Sequence, residues 1–219
     1  MHMDRRQFVK NLGLGTASLS MGSLVTASSC APSGDSSLKQ NVKEGEDGQF
    51  LFIGDDIAIA QTEYGKVQGY LLNHVYTFLG VPYGADTSGK NRFMPPQKPE
   101  PWTDVRPAVF YGNTAPQRME NRWPNNYGTF ADHWNYWDVS EDCLYLNVWT
   151  PGIADGKKRP VLVWLHGGGF TNGSGIEQDG YHGENISREG NIVFCSINHR
   201  LGPIGFSDLS GCLLYTSDA

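Results

Sequence analysis

The chain has 219 residues and a formal net charge of −6, with 39% hydrophobic, 12% aromatic and only 18% charged residues. This length gives room for one domain with a sizeable core or for two small ones, and the composition excludes a disordered acidic chain, a coiled coil and a disulfide-dense mini-domain. A pI near 5.4 argues against a nucleic-acid-binding protein that works through a basic surface.

The N-terminal segment is predicted to be a targeting signal. Arg5 and Arg6 begin a twin-arginine stretch, and a mildly apolar run diluted with Gly, Ser and Thr follows over Asn11–Ala27. This pattern resembles a twin-arginine export signal, with an ordinary amphipathic first helix as the alternative. The run is shorter than the ~20 residues of a membrane span. We therefore expect the twin-arginine export machinery to carry the protein into the bacterial cell envelope, to the periplasm or the cell surface.

A cysteine follows this signal in a characteristic context. The sequence Ala27-Ser28-Ser29-Cys30 resembles a lipobox, in which small residues precede a cysteine that becomes diacylated, although such boxes more often carry Leu at the position of Ala27. Cleavage near Ser29 by the ordinary signal peptidase is the alternative. We expect residues 1–29 to be a signal peptide, Cys30 to carry a lipid that anchors the protein to the membrane, and residues 30–56 to form a polar tether.

The next part of the chain predicts short strands followed by long loops. Ile57–Leu72 contains alternating apolar residues and two glycines, which is typical of short strands joined by tight turns. Val75–Tyr83 is a further apolar run with a proline near its end. Pro95–Tyr136 is dense in Pro, Asn, Gly and aromatic residues and predicts long irregular loops.

Three stronger strand candidates indicate an α/β sheet. They are Leu144–Thr150, Val161–His166 and Asn191–Asn198. The second is apolar from Val161 to Leu165 and the third is nearly so, which is typical of parallel strands covered by helices on both faces. A short helical stretch with a glycine stop lies between them, within Gly180–Gly190. This order of strand, crossover and strand predicts an α/β fold.

A glycine-rich turn, His166-Gly167-Gly168-Gly169-Phe170, follows the second of these strands directly. Glycine leaves backbone N–H groups uncovered by a Cβ atom, and such donors can stabilise the oxyanion that develops when a carbonyl is attacked. A phosphate site is a second possibility for this kind of turn, but the spacing matches neither a P-loop nor GxGxxG. A tight structural turn is the third.

Four segments that include this turn are together very specific. They are Phe78–Gly84 (FLGVPYG), Ser140–Pro151 (SEDCLYLNVWTP), Pro160–Gly169 and Asn198–Phe206 (NHRLGPIGF). In this order they resemble the type-B carboxylesterase/cholinesterase family, and in particular its bacterial para-nitrobenzyl-esterase-like branch. The resemblance covers residues 62–206, about two-thirds of the chain.

The resemblance implies an α/β-hydrolase fold, of which only the N-terminal strands of the central sheet are present. It also implies hydrolysis of small carboxylic esters by a serine esterase that needs no metal or organic cofactor. Gly168 and Gly169 would supply two N–H donors of the oxyanion hole, with Gly167 in the supporting turn. Arg92 and Glu141 would form a structural ion pair, with two unrelated surface charges as the alternative.

The sequence departs from the family pattern at two positions. Many members close the aromatic loop with a disulfide that ends at the position of Cys143, but the partner position around Ala115-Pro116-Gln117 has no cysteine. Cys143 and Cys195 are therefore expected to be unpaired core thiols, and no disulfide is expected. His199 stands where the family usually has Tyr, which we interpret as a change in packing.

The long loop contains a group of aromatic residues with two alternative roles. They are expected either to line the entrance of an acyl or alcohol pocket or to pack on the surface of the sheet, and they are Trp123, Tyr127, Phe130, Trp134, Tyr136 and Trp137.

The nucleophile of such an esterase sits in a GxSxG turn, and the sequence contains none. Ser207 lacks the final glycine and Ser174 has the wrong spacing. We therefore expect the catalytic Ser, Glu/Asp and His to be absent from the chain, which would make it inactive as given. Cys212–Ala219 matches the peptide that a sequencing adapter encodes when read through, so residues 57–211 are expected to be the N-terminal part of a carboxylesterase domain and residues 212–219 an artefact.

Two other functions compete with an envelope carboxylesterase. A non-catalytic binding or adhesion protein on the same fold is the first, because a fold does not dictate a function. A lipid-anchored solute-binding protein is the second, but it rests on the signal alone and does not explain the motifs. The intact HGGG turn favours the enzyme.

Overall fold

Nine strands and two α-helices are found in the computed structural model, which describes residues 50–118 and 138–209. In chain order the strands are β1 (Leu51–Phe52), β2 (Ile59–Gln61), β3 (Lys66–Gln68), β4 (Tyr70–Leu72), β5 (Val75–Pro82), β6 (Arg106–Pro107), β7 (Tyr145–Thr150), β8 (Val161–Trp164) and β9 (Val193–Ile197). The helices are α1 (Glu184–Gly190) and α2 (Gly202–Phe206), with short 3-10 turns at Gly89–Asn91 and Asp179–Tyr181. In these two ranges no helix has the length and apolar character to cross a membrane.

The predicted signal, Cys30 and residues 30–49 of the predicted tether lie outside the described residues. So do the adapter-like tail and the aromatic residues between Trp123 and Trp137. Residues 50–56, predicted to end the tether, are described, and Leu51–Phe52 form strand β1 against β4.

Six of the strands form the main sheet in the order β1-β4-β5-β7-β9-β8. All neighbours are antiparallel except β8 and β9, which run parallel. The strands predicted at Val75–Tyr83, Leu144–Thr150, Val161–His166 and Asn191–Asn198 are confirmed as β5, β7, β8 and β9, with ends that differ by one or two residues.

A second, three-stranded sheet has the order β2-β3-β6. Strands β2 and β3 are antiparallel, as the alternating pattern before Leu72 predicts, whereas β6 pairs parallel to β3. Strand β6 lies within the span predicted to be loop. Its Pro107 is compatible with this place because β6 is an edge strand, where a missing N–H breaks no ladder.

The core of the main sheet is an apolar cluster of Val75, Leu79, Trp149 and Phe194. Helix α1 packs close to it because Gly183, at its N-cap, lies directly against the rings of Trp149 and Phe194, where a Cβ atom would collide. The predicted helix is confirmed, but its glycine stop is one residue off. Gly190 is the last helical residue, and Asn191 takes the left-handed conformation with φ 48°, which Asn tolerates at a C-terminus.

A polar link crosses the centre of the main sheet. Strand β5 bulges between Phe78 and Val81, and Gly80 in the bulge has φ 65°. The N–H of Gly80 donates to Oδ1 of Asn147 at 3.0 Å, and Nδ2 of Asn147 donates to Oγ of Ser196 at 3.1 Å. The buried Asn147 on β7 thus ties the bulge of β5 to β9.

One expectation about β8 is wrong. Its apolar sequence predicts a strand covered on both faces, yet all four of its residues are exposed. In the described ranges β8 is the outermost strand of the sheet, with β9 as its hydrogen-bonded neighbour, so its side chains remain open to solvent.

Candidate functional site

The HGGG turn lies just beyond the carboxyl end of β8, and its backbone is left-handed at three successive residues. Gly168, Gly169 and Phe170 have φ of 122°, 61° and 65°. Gly168 cannot carry a side chain, because a Cβ atom there would collide with the carbonyl oxygen of Asn172. The Gly168 carbonyl accepts hydrogen bonds from the N–H groups of Thr171 at 3.2 Å and Asn172 at 3.3 Å. The turn is therefore closed through the carbonyl group of Gly168.

The N–H groups of Gly168 and Gly169 take no part in closing the turn. Gly168 and Gly169 are exposed, and neither N–H donates a hydrogen bond to any residue within 50–118 or 138–209. Backbone donors held in a fixed turn need no reorganisation to meet a developing charge. Two such groups side by side can bind a negatively charged oxygen.

Four aromatic rings pack together at the turn. The buried His166 donates from Nδ1–H to the carbonyl of Gly167 at 2.8 Å, because a carbonyl can only accept. Its ring stacks on that of His199, with centroids 4.4 Å apart and planes 3° from parallel. The Phe206 ring meets His199 edge-on at 5.8 Å and Phe170 at 4.6 Å. The stack agrees with the packing role predicted for His199.

A cavity of about 480 Å³ opens beside the turn. Its walls are largely apolar, and they include Leu165, Phe170, Leu201 and Phe206 together with the His199 ring. A cavity of this size and character, with backbone donors at its edge, suits a small uncharged organic molecule that carries one polar group. In the described residues no group of three His, Cys, Asp or Glu side chains is arranged to hold a metal ion.

Comparison with known proteins decides the family. The profile of the carboxylesterase family matches residues 56–211. The chain belongs to the carboxylesterase family. Its described strands are part of an α/β-hydrolase fold.

Two bacterial relatives are similar to this chain over a limited part of their length. The chain is 44% identical over 148 residues to phenmedipham hydrolase of Pseudarthrobacter oxydans, a match that covers 68% of this chain and 29% of the relative. It is 39% identical over 155 residues to para-nitrobenzyl esterase of Bacillus subtilis, covering 69% of this chain and 29% of the relative. The chain thus spans under a third of the length of these relatives.

Solved carboxylesterase structures agree. An esterase from Clostridium hathewayi superposes with a TM-score of 0.65 at 38% identity, covering 74% of this chain and 31% of that one. A carboxylesterase of Geobacillus stearothermophilus gives a TM-score of 0.57 at 37% identity, covering 68% of this chain and 27% of that one.

Arg92 and Glu141, predicted to form an ion pair, are paired in the structure. Arg92 donates from Nε to Oε2 of Glu141 at 2.8 Å, and its second nitrogen lies 2.8 Å from Oε1, so the pair is bidentate. Glu141 thereby raises the pKa of Arg92. The pair joins the loop after β5 to the segment that leads into β7. The ion pair forms as predicted, and its structural role stays a prediction.

Cys143 and Cys195 are buried free thiols. Burial raises the pKa of Cys143 to about 12 and that of Cys195 to about 11. A thiol with so high a pKa is protonated near neutral pH, and the thiolate is the nucleophilic form. Both residues are therefore buried, protonated thiols in the folded chain.

Two amide side chains at the site have roles that are not predicted from the sequence. Gln117 exchanges hydrogen bonds with the backbone of Gly173, and Asn198 accepts from the N–H of Gly175 at 2.7 Å. Asn198 also donates from Nδ2 to the carbonyl of Asn113 at 2.9 Å. Asn198 lies in the NHRLGPIGF motif, which marks it, whereas a single glutamine in a loop has no comparable signal.

Proposed function

We propose that this segment supplies the oxyanion-binding half of a carboxylic-ester hydrolase that works through an acyl-enzyme. The observation that carries the proposal is a pair of exposed glycines in a left-handed turn, Gly168 and Gly169, whose N–H groups donate to no other described residue. Gly169 also lines the apolar cavity. When a serine attacks the ester carbonyl, the carbonyl oxygen becomes negatively charged. The two donors would bind it in that state more strongly than in the neutral ester, which lowers the barrier.

The substrate class follows from the cavity and from the family. The apolar walls favour small uncharged esters, whose acyl or alcohol part would lie against Phe170 and Phe206. The nucleophile, acid and base are not assigned to residues of this chain, because its sequence contains no GxSxG turn. The chain accordingly contributes charge stabilisation and positioning.

The test uses the protein expressed from its full open reading frame, recovered from the source DNA, with p-nitrophenyl acetate as substrate. Gly168→Ala keeps the N–H, but its Cβ would collide with the carbonyl oxygen of Asn172 and so displace the backbone that presents the donor. We expect kcat to fall about 100-fold or more with little change in KM, since an ineffective oxyanion donor costs about 10²–10³. Gly156→Ala is the matched control. It places the same side chain on another left-handed glycine, with φ 70° and no atom near the added Cβ.

The outcome is unambiguous in either direction. Equal kcat values for the Gly168 and Gly156 variants would remove the turn from catalysis. A folded protein that hydrolyses no ester would overturn the enzymatic proposal and leave a binding function on the same fold.

We also propose that the protein is exported to the cell envelope and anchored there through Cys30. Support comes from the twin-arginine stretch and the lipobox-like sequence that ends at Cys30. A diacyl anchor holds a protein stably at a membrane. Cells fed a palmitate analogue are expected to label the protein, and Cys30→Ala should abolish the label. Replacement of both Arg5 and Arg6 by Lys should retain an unprocessed precursor, and normal export of that variant would contradict the twin-arginine route.

A further inference from the structure

The side chain of Gln117 forms hydrogen bonds with both backbone polar groups of Gly173, which follows the HGGG turn in the chain. Its Nε2 donates to the carbonyl of Gly173 at 3.0 Å, and its Oε1 accepts from the N–H of Gly173 at 2.8 Å. Nε2 also donates to the carbonyl of Ala115 at 3.1 Å, which fixes the orientation of the amide. A flipped amide would set oxygen against oxygen, so the carboxamide fits in one orientation.

Gly173 in turn lies against the start of the turn. Its φ is 111°, and a Cβ atom there would collide with the carbonyl oxygen of Gly167 and with Nδ1 of His166. A Cβ atom on Gly168 would likewise collide with the carbonyl oxygen of Asn172, the residue before Gly173. Residues 172 and 173 therefore pack against Gly167 and Gly168. A displacement of Gly173 would displace these two residues as well.

This contact is long-range, since 56 residues separate Gln117 from Gly173. The other fixed points of the turn lie elsewhere: Gly175 is held by Asn198, and the carbonyl of Phe170 accepts from the N–H of Gly202 at 2.7 Å. Gln117 thus holds Gly173, in the segment that follows the turn, at the place where this segment lies against the backbone of Gly167.

We infer that Gln117 is a positioning residue of the oxyanion hole: its carboxamide holds Gly173, and Gly173 holds the backbone from which Gly168 and Gly169 present their N–H groups. This inference rests on the proposed function. Gln117 touches neither donor and acts through Gly173. Misplacement of a catalytic group by about 1 Å costs about 100-fold in rate, so loss of this grip is expected to lower kcat by roughly 10-fold to 100-fold. KM should change little, because the donors act on the charged state.

The test compares Gln117→Leu and Gln117→Glu with the same two substitutions at Gln97, in the protein expressed from its full open reading frame. Gln97 is exposed, and its Nε2 makes a local contact with the carbonyl of Pro95 at 3.2 Å, so it serves as a matched control. We expect kcat for p-nitrophenyl acetate to fall for both Gln117 variants and for neither Gln97 variant.

Gln117→Glu adds a readout that a merely structural role would not move. A carboxylate cannot donate to the carbonyl of Gly173, whereas a protonated carboxyl group can. The ratio of variant to wild-type kcat should therefore rise toward one as the pH falls, while the ratio for Gln117→Leu should stay flat. Flat ratios for both variants, or wild-type kcat in Gln117→Leu, would overturn the inference. If Gln117→Leu fails to fold, the pH dependence of Gln117→Glu decides alone.

Hydrogen exchange separates this inference from the proposed function. The Gly173 amide is bonded to Gln117, so exchange in residues 167–173 should accelerate in both Gln117 variants and not in the Gln97 variants. This holds whether or not the protein hydrolyses esters. An inactive wild-type protein with accelerated exchange would refute the proposed function and retain Gln117 as the residue that positions the turn. Unchanged exchange would refute the positioning role itself.

Discussion

The exposed edge strand β8 should make the 219-residue chain self-associate, and a single lysine in the strand should prevent it. Val163 lies in the strand and is 54% exposed, and the adjoining Leu165 is 63% exposed. An apolar edge with unpaired backbone groups is a template for pairing with another chain. We expect Val163→Lys to shift the chain toward the monomer.

The magnitude follows from the exposure of the strand. The side chains from Val161 to Leu165 are between 37% and 65% exposed. Full burial of one such side chain is worth about 1.5–3 kcal/mol, so covering the exposed half of these five gives about 4–8 kcal/mol. A lysine in their midst would have to bury its ammonium group, at a cost of several kcal/mol. Since each 1.4 kcal/mol is tenfold in affinity, self-association should weaken by about 100-fold or more.

Sedimentation velocity of the refolded chain over a range of micromolar concentrations measures this effect. Leu51→Lys is the control, because Leu51 is 57% exposed on β1, the opposite edge strand, which is only two residues long. Very short edge strands pair poorly, so this lysine should leave association unchanged. A wild-type chain that stays monomeric, or equal self-association of the two lysine variants, would show that β8 is not the edge through which the chain associates.

Five further outcomes are expected. Asn147→Leu should destabilise the fold by about 2–5 kcal/mol in urea unfolding, because it leaves buried partners on β5 and β9 unsatisfied. Arg92→Ala should cost about 1 kcal/mol or less in the same assay, because the Arg92 side chain is 49% exposed in its pair with Glu141. Cys143 and Cys195 should react with a thiol reagent only on unfolding. Since burial raises their pKa to about 12 and about 11, the unfolded chain loses these protons first, and stability should fall as the pH rises above about 9. The 219-residue chain alone should hydrolyse no p-nitrophenyl acetate, and turnover above the buffer rate would contradict this.

The strands of the main sheet could be predicted because their signal is local. Segments rich in apolar and aromatic residues define β5, β7 and β9 within one or two residues. The apolar run at Val161–Leu165 defines β8 but does not say what covers it, so the exposure of its side chains cannot be predicted from the run alone. Strand β6 is two residues long and exists only through its pairing with Val67 and Gln68, which no local pattern encodes.

The candidate site divides in the same way. Three consecutive glycines after a strand mark the HGGG turn, since few other residues could adopt its backbone. Gln117 could not be found, because its role depends on a contact between loops 56 residues apart and its neighbours in sequence form no pattern. The stop of α1 at Asn191 could be predicted only to within one residue, because Gly and Asn both tolerate the left-handed conformation.

The HGGGF and NHRLGPIGF motifs are distant in sequence but form one physical unit. Phe170 is a bulky residue at φ 65°, a conformation that costs about 1–2 kcal/mol for a residue with a side chain. Its carbonyl accepts the N–H of Gly202, and its ring packs on Phe206 at the other end of α2. With the stack of His199 on His166, these contacts offset the strain. Helix α2 therefore supports the turn, and a substitution that removes the Phe206 ring should disturb the N–H groups of the turn although it lies outside it.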